Sequence, residues 1–211
     1  FLARIHFPYA NVYGMTECGP FISYMSTRDT RPGSCGRAVE RMELRIDSPH
    51  PASVPGVLWV RGVNMMDGYF KNEEATEAVM RDGWLCTGDI CTLDDDGFLF
   101  VRGRDKNMIL GPNGQNIYPE EIEARLNNMP YVAESIVVEK DGRLVALVYP
   151  DLDAARVQGL GDADLLAVMR ENISALNPEL PNYSRISDVR IYQEEFEKTA
   201  KRSIKRYLYK A

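Results

Sequence analysis

The chain has 211 residues, of which 45% are hydrophobic and 27% charged, and its formal net charge is −6. This composition predicts a globular protein with a buried core, and the acidic balance argues against a general affinity for nucleic acid. No apolar run reaches the roughly 18 residues that a membrane-spanning helix requires. The four cysteines form no CxxC pair and no secretory segment is recognisable, so we predict reduced thiols and a cytoplasmic location.

The first hundred residues have the pattern of a β-rich region. Strands are predicted at 42–47, where apolar and polar residues alternate, and at 57–60, after a loop rich in Pro and Gly. A short helix is predicted at 72–80, with Asn72 as its N-cap. The turn-forming pair Asp82-Gly83 is expected to end that helix.

Three consecutive aspartates, at 94–96, lie between two apolar segments at 91–93 and 98–101. Carboxylates are ligands that Ca²⁺ prefers, but this spacing lacks the alternating ligands and the distal Glu of an EF-hand loop. The turn residue Gly97 follows directly, so the pattern favours a β-hairpin with an acidic turn.

The second half mixes helices and strands. Its predicted elements are a strand at 108–110, a helix at 119–129, a hairpin at 135–149, an amphipathic helix at 162–176 and a strand at 189–192. Together they predict an α+β domain of about 105 residues. We place the domain boundary near residue 103, which divides the chain into 1–103 and 104–211.

The segment Tyr13-Gly14-Met15-Thr16-Glu17 has the residue types that a nucleotide site needs. The ring can stack on a base, and glycine lets backbone approach a ligand. The hydroxyl can bond a phosphate oxygen, and the carboxylate can help to hold Mg²⁺. A strand end followed by a polar turn is the structural alternative.

Two further segments carry candidate binding residues. In Thr87-Gly88-Asp89, a carboxylate predicted to lie on a tight turn after a short strand can accept both hydroxyls of a ribose, or it can cap backbone. Arg104 offers a planar fork of donors for sugar or phosphate oxygens. The loop around Gly114 can present backbone to a ligand. Without the other motifs, an interdomain turn with solvated charges is the favoured interpretation of both features.

These segments, in this order, resemble the motifs of the adenylate-forming superfamily, which includes acyl-CoA synthetases, nonribosomal-peptide adenylation domains and luciferases. The sequence YGMTE at 13–17 is similar to Y-G-x-T-E, TGD at 87–89 to T-G-D, GRDK at 103–106 to G-R-x-K/D, and GQNIYPEEIE at 114–123 to G-x-N-I-x-P-x-E-I-E. The resemblance spans essentially the whole chain. The tail and the phrase GYFKN at 68–72 most resemble long-chain fatty acid–CoA ligases.

The resemblance implies a fold and a reaction. The α+β fold would comprise a distorted β-barrel-like subdomain of a large N-terminal domain, followed by a small mobile α+β domain. The enzyme would join a carboxylic acid to ATP, forming acyl-adenylate and pyrophosphate, and would then pass the acyl group to CoA with release of AMP. Most of the large N-terminal domain would lie upstream, in the missing part of the same chain, so we expect the 211-residue fragment to be inert alone.

The resemblance also implies roles for individual residues. Tyr13 would stack on adenine, and Asp89 would hold the ribose with help from Arg104. Thr16 would bind a phosphate oxygen, and Glu17 would help to hold Mg²⁺. The remaining implied residues are the hinge Lys106 and the nucleotide-proximal glycines Gly14 and Gly114.

The tail departs from the family pattern P-K-T-x-x-G-K-I-x-R. Aligning its Lys-Thr pair places Ser203 where the catalytic lysine belongs, and our hypothesis is that Lys201 supplies the cation instead. Three alternatives stay open. The enzyme could use another acyl or aryl acid with a carrier-protein acceptor, the chain could be a noncatalytic nucleotide-binding relic, or it could be an interaction protein with a basic tail.

Overall fold

The computed structural model describes residues 2–5, 7–200 and 202–209, with the side chains of residues 3 and 4 excepted. The chain divides into two units, Phe1–Lys106 and Asn107–Ala211. Helices and strands occur in both, so the predicted α+β class is confirmed. In the part of the chain that is described, none of the helices is long and apolar enough to cross a membrane.

The described residues of unit 1 form two antiparallel sheets, one α-helix and short 3₁₀ turns. One sheet has the strand order β1-β2-β3, and the other has the order β4-β5-β7-β6, with β8 paired to β7 as well. Both sheets are open and do not close into a barrel. The elements are β1 (Asn11–Gly14), β2 (Phe21–Met25), β3 (Arg37–Ala38), β4 (Met42–Asp47), β5 (Gly56–Gly62), α1 (Glu73–Val79), β6 (Met80–Arg81), β7 (Trp84–Leu93) and β8 (Leu99–Arg104).

Helix α1 begins where the sequence predicts it and ends earlier. The Asn72 side chain accepts a hydrogen bond from the backbone N–H of Ala75 at 3.0 Å, which confirms the predicted N-cap. The pair Asp82-Gly83 does not end the helix. These residues have φ angles of 52° and 75° and form the turn between β6 and β7, because two successive left-handed residues suit a two-residue hairpin.

The predicted hairpin with an acidic turn is confirmed as β7–β8. The Asp94 carboxylate accepts hydrogen bonds from the backbone N–H groups of Asp96 and Phe98, at 3.1 and 2.8 Å. Arg31 forms ion pairs with the carboxylates of Asp94 and Asp96. The guanidinium groups of Arg31 and Arg37 lie 4.6 and 4.2 Å from the centre of the Phe98 ring. Arg31, from the β2–β3 loop, neutralises the turn, and together with Arg37 of β3 it covers Phe98.

Unit 2 contains a two-stranded ribbon, a three-stranded sheet and three helices. The sheet has the order β11-β12-β13, in which β11 is antiparallel and β13 parallel to β12. Helix α3 (Leu152–Val157) was not predicted, because its six residues are too few to show a helical period. The elements are β9 (Ile109–Leu110), β10 (Asn116–Ile117), α2 (Pro119–Leu126), β11 (Val132–Lys140), β12 (Arg143–Pro150), α3 (Leu152–Val157), α4 (Asp162–Leu176) and β13 (Ile186–Ile191).

The central strand β12 is buried on both faces. Leu144, Ala146 and Val148 pack into the cluster that includes helices α2 and α4. Successive side chains of a strand point to opposite faces, so Leu147 packs on the other side, against Phe196 of the tail. The tail therefore covers the face of the sheet opposite the helices.

Candidate functional site

The centre of the candidate site is the buried carboxylate of Asp89, which is 5% exposed. Arg104 faces it from the adjacent strand β8, and Arg104 Nε lies 2.8 Å from Asp89 Oδ1. The Tyr13 hydroxyl, from β1 of the other sheet, donates a hydrogen bond to Asp89 Oδ2. The structure thus brings together three of the predicted site residues, two from the β7–β8 hairpin and one from a strand 76 positions away in sequence.

Burial raises the pKa of the Tyr13 phenol far above its ordinary value, and the neighbouring carboxylate of Asp89 adds to this shift. The phenol therefore stays protonated at physiological pH and acts as the donor toward Asp89. The half-exposed guanidinium of Arg104 supplies the opposite charge. The result is a fixed carboxylate whose neighbours include an aromatic phenol and a cationic guanidinium.

The Thr87-Gly88-Asp89 segment lies inside strand β7, and the prediction of a turn after a short strand is wrong. The register of β7 with β5 shifts between Cys86 and Ile90, and its register with β8 shifts between Ile90 and Cys91. Gly88 has a φ of 70°, which an L side chain rarely adopts. The Thr87 hydroxyl accepts from the Asp89 backbone N–H at 3.1 Å and donates to the Leu58 carbonyl at 3.0 Å. The strand is thus irregular where it carries the carboxylate.

Gly14 is required by a close backbone approach. A Cβ atom at this position would lie 1.7 Å from the carbonyl oxygen of Pro20 on the facing segment. The 3₁₀ turn Thr16–Cys18 follows, with the Thr16 side chain exposed and Glu17 half-buried. Glu17 Oε1 accepts a hydrogen bond from the Tyr69 hydroxyl at 3.0 Å.

No metal ligand set is complete within the residues described. Across residues 2–5, 7–200 and 202–209, no three His, Cys, Asp or Glu side chains are grouped so that they could hold an ion. A cation beside Glu17 would therefore need further oxygen ligands from a bound molecule, and phosphate groups supply such oxygens.

The other predicted site residues lie outside this cluster. Lys106 is exposed and is the last residue of unit 1. Gly114 belongs to unit 2, where it has a φ of 76° in the exposed loop between β9 and β10. Lys201 lies outside the described residues.

The basic tail is largely tied to carboxylates of unit 2. Lys198 pairs with Glu134, at 2.5 Å between Nζ and Oε1, and it also pairs with Glu195. The guanidinium of Arg206 pairs with the buried carboxylate of Glu123. Between these anchors, the backbone N–H of Thr199 donates to the Ser203 carbonyl at 2.8 Å. Ser203 itself is exposed.

Unit 2 also contains a cavity of about 220 Å³ that the sequence did not reveal. Its walls come from the β9–β10 loop, the β11–β12 turn and the start of β13, and they carry two arginines, Arg143 and Arg185. Arg143 and Arg185 belong to no shared motif, so the sequence alone did not predict that they line one cavity. Tyr69, which contacts Glu17, was also not predicted as a site residue. It lies in the GYFKN phrase, whose resemblance to long-chain fatty acid–CoA ligases was a signal that could have indicated it.

Comparisons with protein families match both parts of the chain to AMP-binding enzymes. The family model of AMP-binding enzymes matches residues 1–70, and the model of the AMP-binding enzyme C-terminal domain matches residues 106–210. The chain is 40% identical over 156 residues to the indoleacetate–CoA ligase of Aromatoleum aromaticum, a match that covers 69% of this chain and 30% of that protein. It is 42% identical over 132 residues to a long-chain-fatty-acid–CoA ligase of Yersinia pestis, which covers 60% and 23%.

The structure aligns over 100% of its length with O-succinylbenzoate coenzyme A synthetase from Bacillus subtilis in complex with AMP, with a TM-score of 0.80 and 28% identity. The match covers 42% of that protein. The chain spans less than a third of the length of the two curated ligases that it matches. The two family models match in chain order and together cover most of the sequence, so this chain belongs to the family of AMP-binding enzymes.

Proposed function

We propose that this chain is the C-terminal part of an ATP-dependent acid–CoA ligase. The observation that carries the proposal is the convergence of Tyr13 and Arg104 on the buried carboxylate of Asp89. These residues come from three of the motif segments, and the hydrogen bond and ion pair among them hold their side chains in place. Side chains that are already held in place lower the entropic cost of binding a nucleotide.

In this proposal each member of the cluster recognises one part of the nucleotide. The ring of Tyr13 stacks on adenine, and its hydroxyl is tethered to Asp89, which limits rotation of the ring. Asp89 accepts hydrogen bonds from the ribose hydroxyls, because a carboxylate offers only acceptor oxygens. Arg104 fixes that carboxylate and reaches toward oxygens of the sugar or phosphate.

The first half-reaction joins two anions, so it needs cations at the reacting centre. The carboxylate oxygen of the acid attacks the α-phosphorus of ATP, and the bond to pyrophosphate breaks. Thr16 and Glu17 would position a phosphate oxygen and Mg²⁺, and Lys201 would bridge the acid carboxylate and the α-phosphate. When it is bound, Mg²⁺ neutralises charge on the phosphates.

In the second half-reaction the thiol of CoA attacks the acyl carbon and AMP leaves. CoA carries several phosphate groups, and the cavity of unit 2 offers two arginines, Arg143 and Arg185, for such a ligand. Gly114 lies in the β9–β10 loop that supplies part of the wall. Lys106, at the end of unit 1, is the proposed hinge for the change between half-reactions.

The acid is the least constrained part of the proposal. The relatives named above are ligases of indoleacetate and of long-chain fatty acids, and the aligned structure is a synthetase of O-succinylbenzoate. We retain a long-chain fatty acid as the first substrate to test, because the GYFKN phrase and the tail resemble that subfamily. Aryl acids are the second class, and a carrier protein is the alternative acceptor.

One observation favours a second candidate function, a noncatalytic nucleotide-binding protein. Ser203 occupies the tail position of the family lysine, and two described lysines nearby are ion-paired, Lys198 with Glu134 and Lys205 with Glu197. A protein without a cation at the reacting centre would bind nucleotide and fail to adenylate.

The test is ATP–pyrophosphate exchange by the full-length ligase, with fatty acids of graded chain length and a set of aryl acids. Exchange that rises with one acid class supports the ligase and identifies the acid. Asp89→Asn should lower exchange by about tenfold or more, because Arg104 loses its charged partner and the ribose loses an acceptor. Asp95→Asn, the same change at an exposed position of unit 1, should leave it unchanged.

Absence of exchange with every acid, in folded protein that still binds ATP, would refute the ligase and support the noncatalytic candidate. Absence of ATP binding as well would refute both.

A further inference from the structure

We infer that Tyr69 is a positioning residue that holds the Glu17 carboxylate for a magnesium ion bound to the nucleotide phosphates. The inference rests on the proposed function, and it assigns a role to a residue that the nucleotide site itself does not include. Its basis is the hydrogen bond from the Tyr69 hydroxyl to Glu17 Oε1, at 3.0 Å across 52 positions of sequence.

The position of Tyr69 is set from helix α1. The backbone N–H of Tyr69 donates to the Thr76 hydroxyl at 2.9 Å, and that hydroxyl donates to the Asn72 carbonyl at the N-cap, also at 2.9 Å. Gly68 lies against the same threonine, since a Cβ on Gly68 would be 3.0 Å from Thr76 Cγ2. The GYFKN phrase thus fixes a tyrosine to the start of a helix and directs its hydroxyl toward Glu17.

The same segment also holds the backbone of the turn that carries Glu17. The backbone N–H of Met66 donates to the Glu17 carbonyl at 2.8 Å. The Asn64 side chain donates to the Cys18 carbonyl and, at 2.9 Å, to the Phe21 carbonyl. Segment 64–69 therefore binds the backbone carbonyls of the turn Thr16–Cys18. The same segment restrains the Oε1 atom of Glu17 through Tyr69.

The geometry leaves the other carboxylate oxygen for a cation. Within the described residues, Glu17 Oε1 is hydrogen-bonded and Oε2 has no protein partner. Carboxylates that bind metals are commonly held by a hydrogen bond to the oxygen that does not face the ion, which fixes their orientation.

The experiment compares the Mg²⁺ dependence of ATP–pyrophosphate exchange in the full-length ligase and its Tyr69→Phe variant. The variant keeps the ring and loses only the hydroxyl. We expect the Mg²⁺ concentration for half-maximal exchange to rise about threefold to tenfold, with the maximal rate at saturating Mg²⁺ retained. Tyr24→Phe is the matched control, because it removes a phenol hydroxyl with no hydrogen-bonding partner among the described residues.

Two further variants separate positioning from folding. Asn64→Ala removes the backbone restraint and should lower thermal stability more than Tyr69→Phe does. In Glu17→Gln, which lacks the charge, adding Tyr69→Phe should cause no further shift in Mg²⁺ dependence.

The outcomes separate the inference from the proposed function. An active wild-type ligase whose Tyr69→Phe variant shows unchanged Mg²⁺ dependence, or the same rate loss at every Mg²⁺ concentration, overturns the positioning role alone. A wild-type protein without exchange for any acid overturns the proposed function and this inference with it.

Discussion

The ion pair between Glu123 and Arg206 joins the tail to helix α2, and breaking it tests how strongly the tail is held on unit 2. Glu123 is 7% exposed, its Oε1 accepts from the Val137 backbone N–H at 2.6 Å, and its Oε2 pairs with Arg206. Replacing Arg206 by Met would leave a buried carboxylate without its cation. Removing one partner of a fully buried pair costs about 3–5 kcal/mol. Because the Arg206 side chain is 22% exposed, we expect about 2–3 kcal/mol at pH 7.

The sign of the pH dependence follows from burial. Burial raises the pKa of Glu123 above its usual value of about 4.5, whereas Arg206 lowers it, so the variant raises this pKa further. Native protein then binds a proton more readily than unfolded protein does. Unfolding free energy of the variant therefore increases as pH falls from 7 toward 4.5, and its deficit relative to wild type shrinks.

Urea unfolding of the 211-residue chain at pH 7 and pH 5 measures this deficit. Both tryptophans, Trp59 and Trp84, lie in unit 1, so their fluorescence provides an internal control that should not move. Hydrogen exchange of β11 and β12 amides reports unit 2. Glu123→Gln, which keeps an acceptor for Val137, should lose only about 1 kcal/mol and show no such pH dependence. An equal deficit for Arg206→Met at both pH values, or none, would refute the reasoning.

Three further predictions concern the site and the thiols. In the full-length ligase, Lys201→Ala should abolish adenylation and preserve thioester formation from supplied acyl-adenylate; an unchanged exchange rate would contradict this. Gly14→Ala should prevent folding of unit 1, because its Cβ would overlap a carbonyl oxygen on the facing segment, and tryptophan fluorescence would detect the loss. Burial raises the pKa of Cys18 to about 11 and also raises the pKa of Cys91, so iodoacetamide at pH 8 should modify the half-buried Cys86 first, as peptide mass mapping would show.

The elements that the sequence predicts well are those whose pattern is local. Helix α4 and strand β4 have the predicted bounds, because one buried stripe or one buried face sets their periodicity. Strand β7 was divided in the prediction because Thr-Gly-Asp has turn composition. The surrounding sheet keeps this segment extended and takes up the difference as a shift in register.

In the candidate site, too, local motifs indicate the individual residues, whereas some of their contacts depend on packing. The motif segments pointed to Asp89, Arg104 and Tyr13 one at a time, and family resemblance placed them in one nucleotide site. The contact between Asp89 and Arg104 follows from the β7–β8 hairpin. The contacts of Tyr13 with Asp89 and of Tyr69 with Glu17 depend on how two sheets and a loop pack. They join residues 76 and 52 positions apart, so neither composition nor spacing encodes them.

The parallel pairing of β13 with β12 has a consequence for synthesis of the protein. The two strands are separated by a crossover through α3 and α4, and the tail that covers the second face of the sheet follows β13. Pairings between distant segments form slowly, because a long loop must close before they contribute stability. On a ribosome, unit 1 has all of its strands long before unit 2 does. Unit 2 would therefore remain without a complete core until residues near 209 emerge, and during that time it is exposed to aggregation and proteolysis.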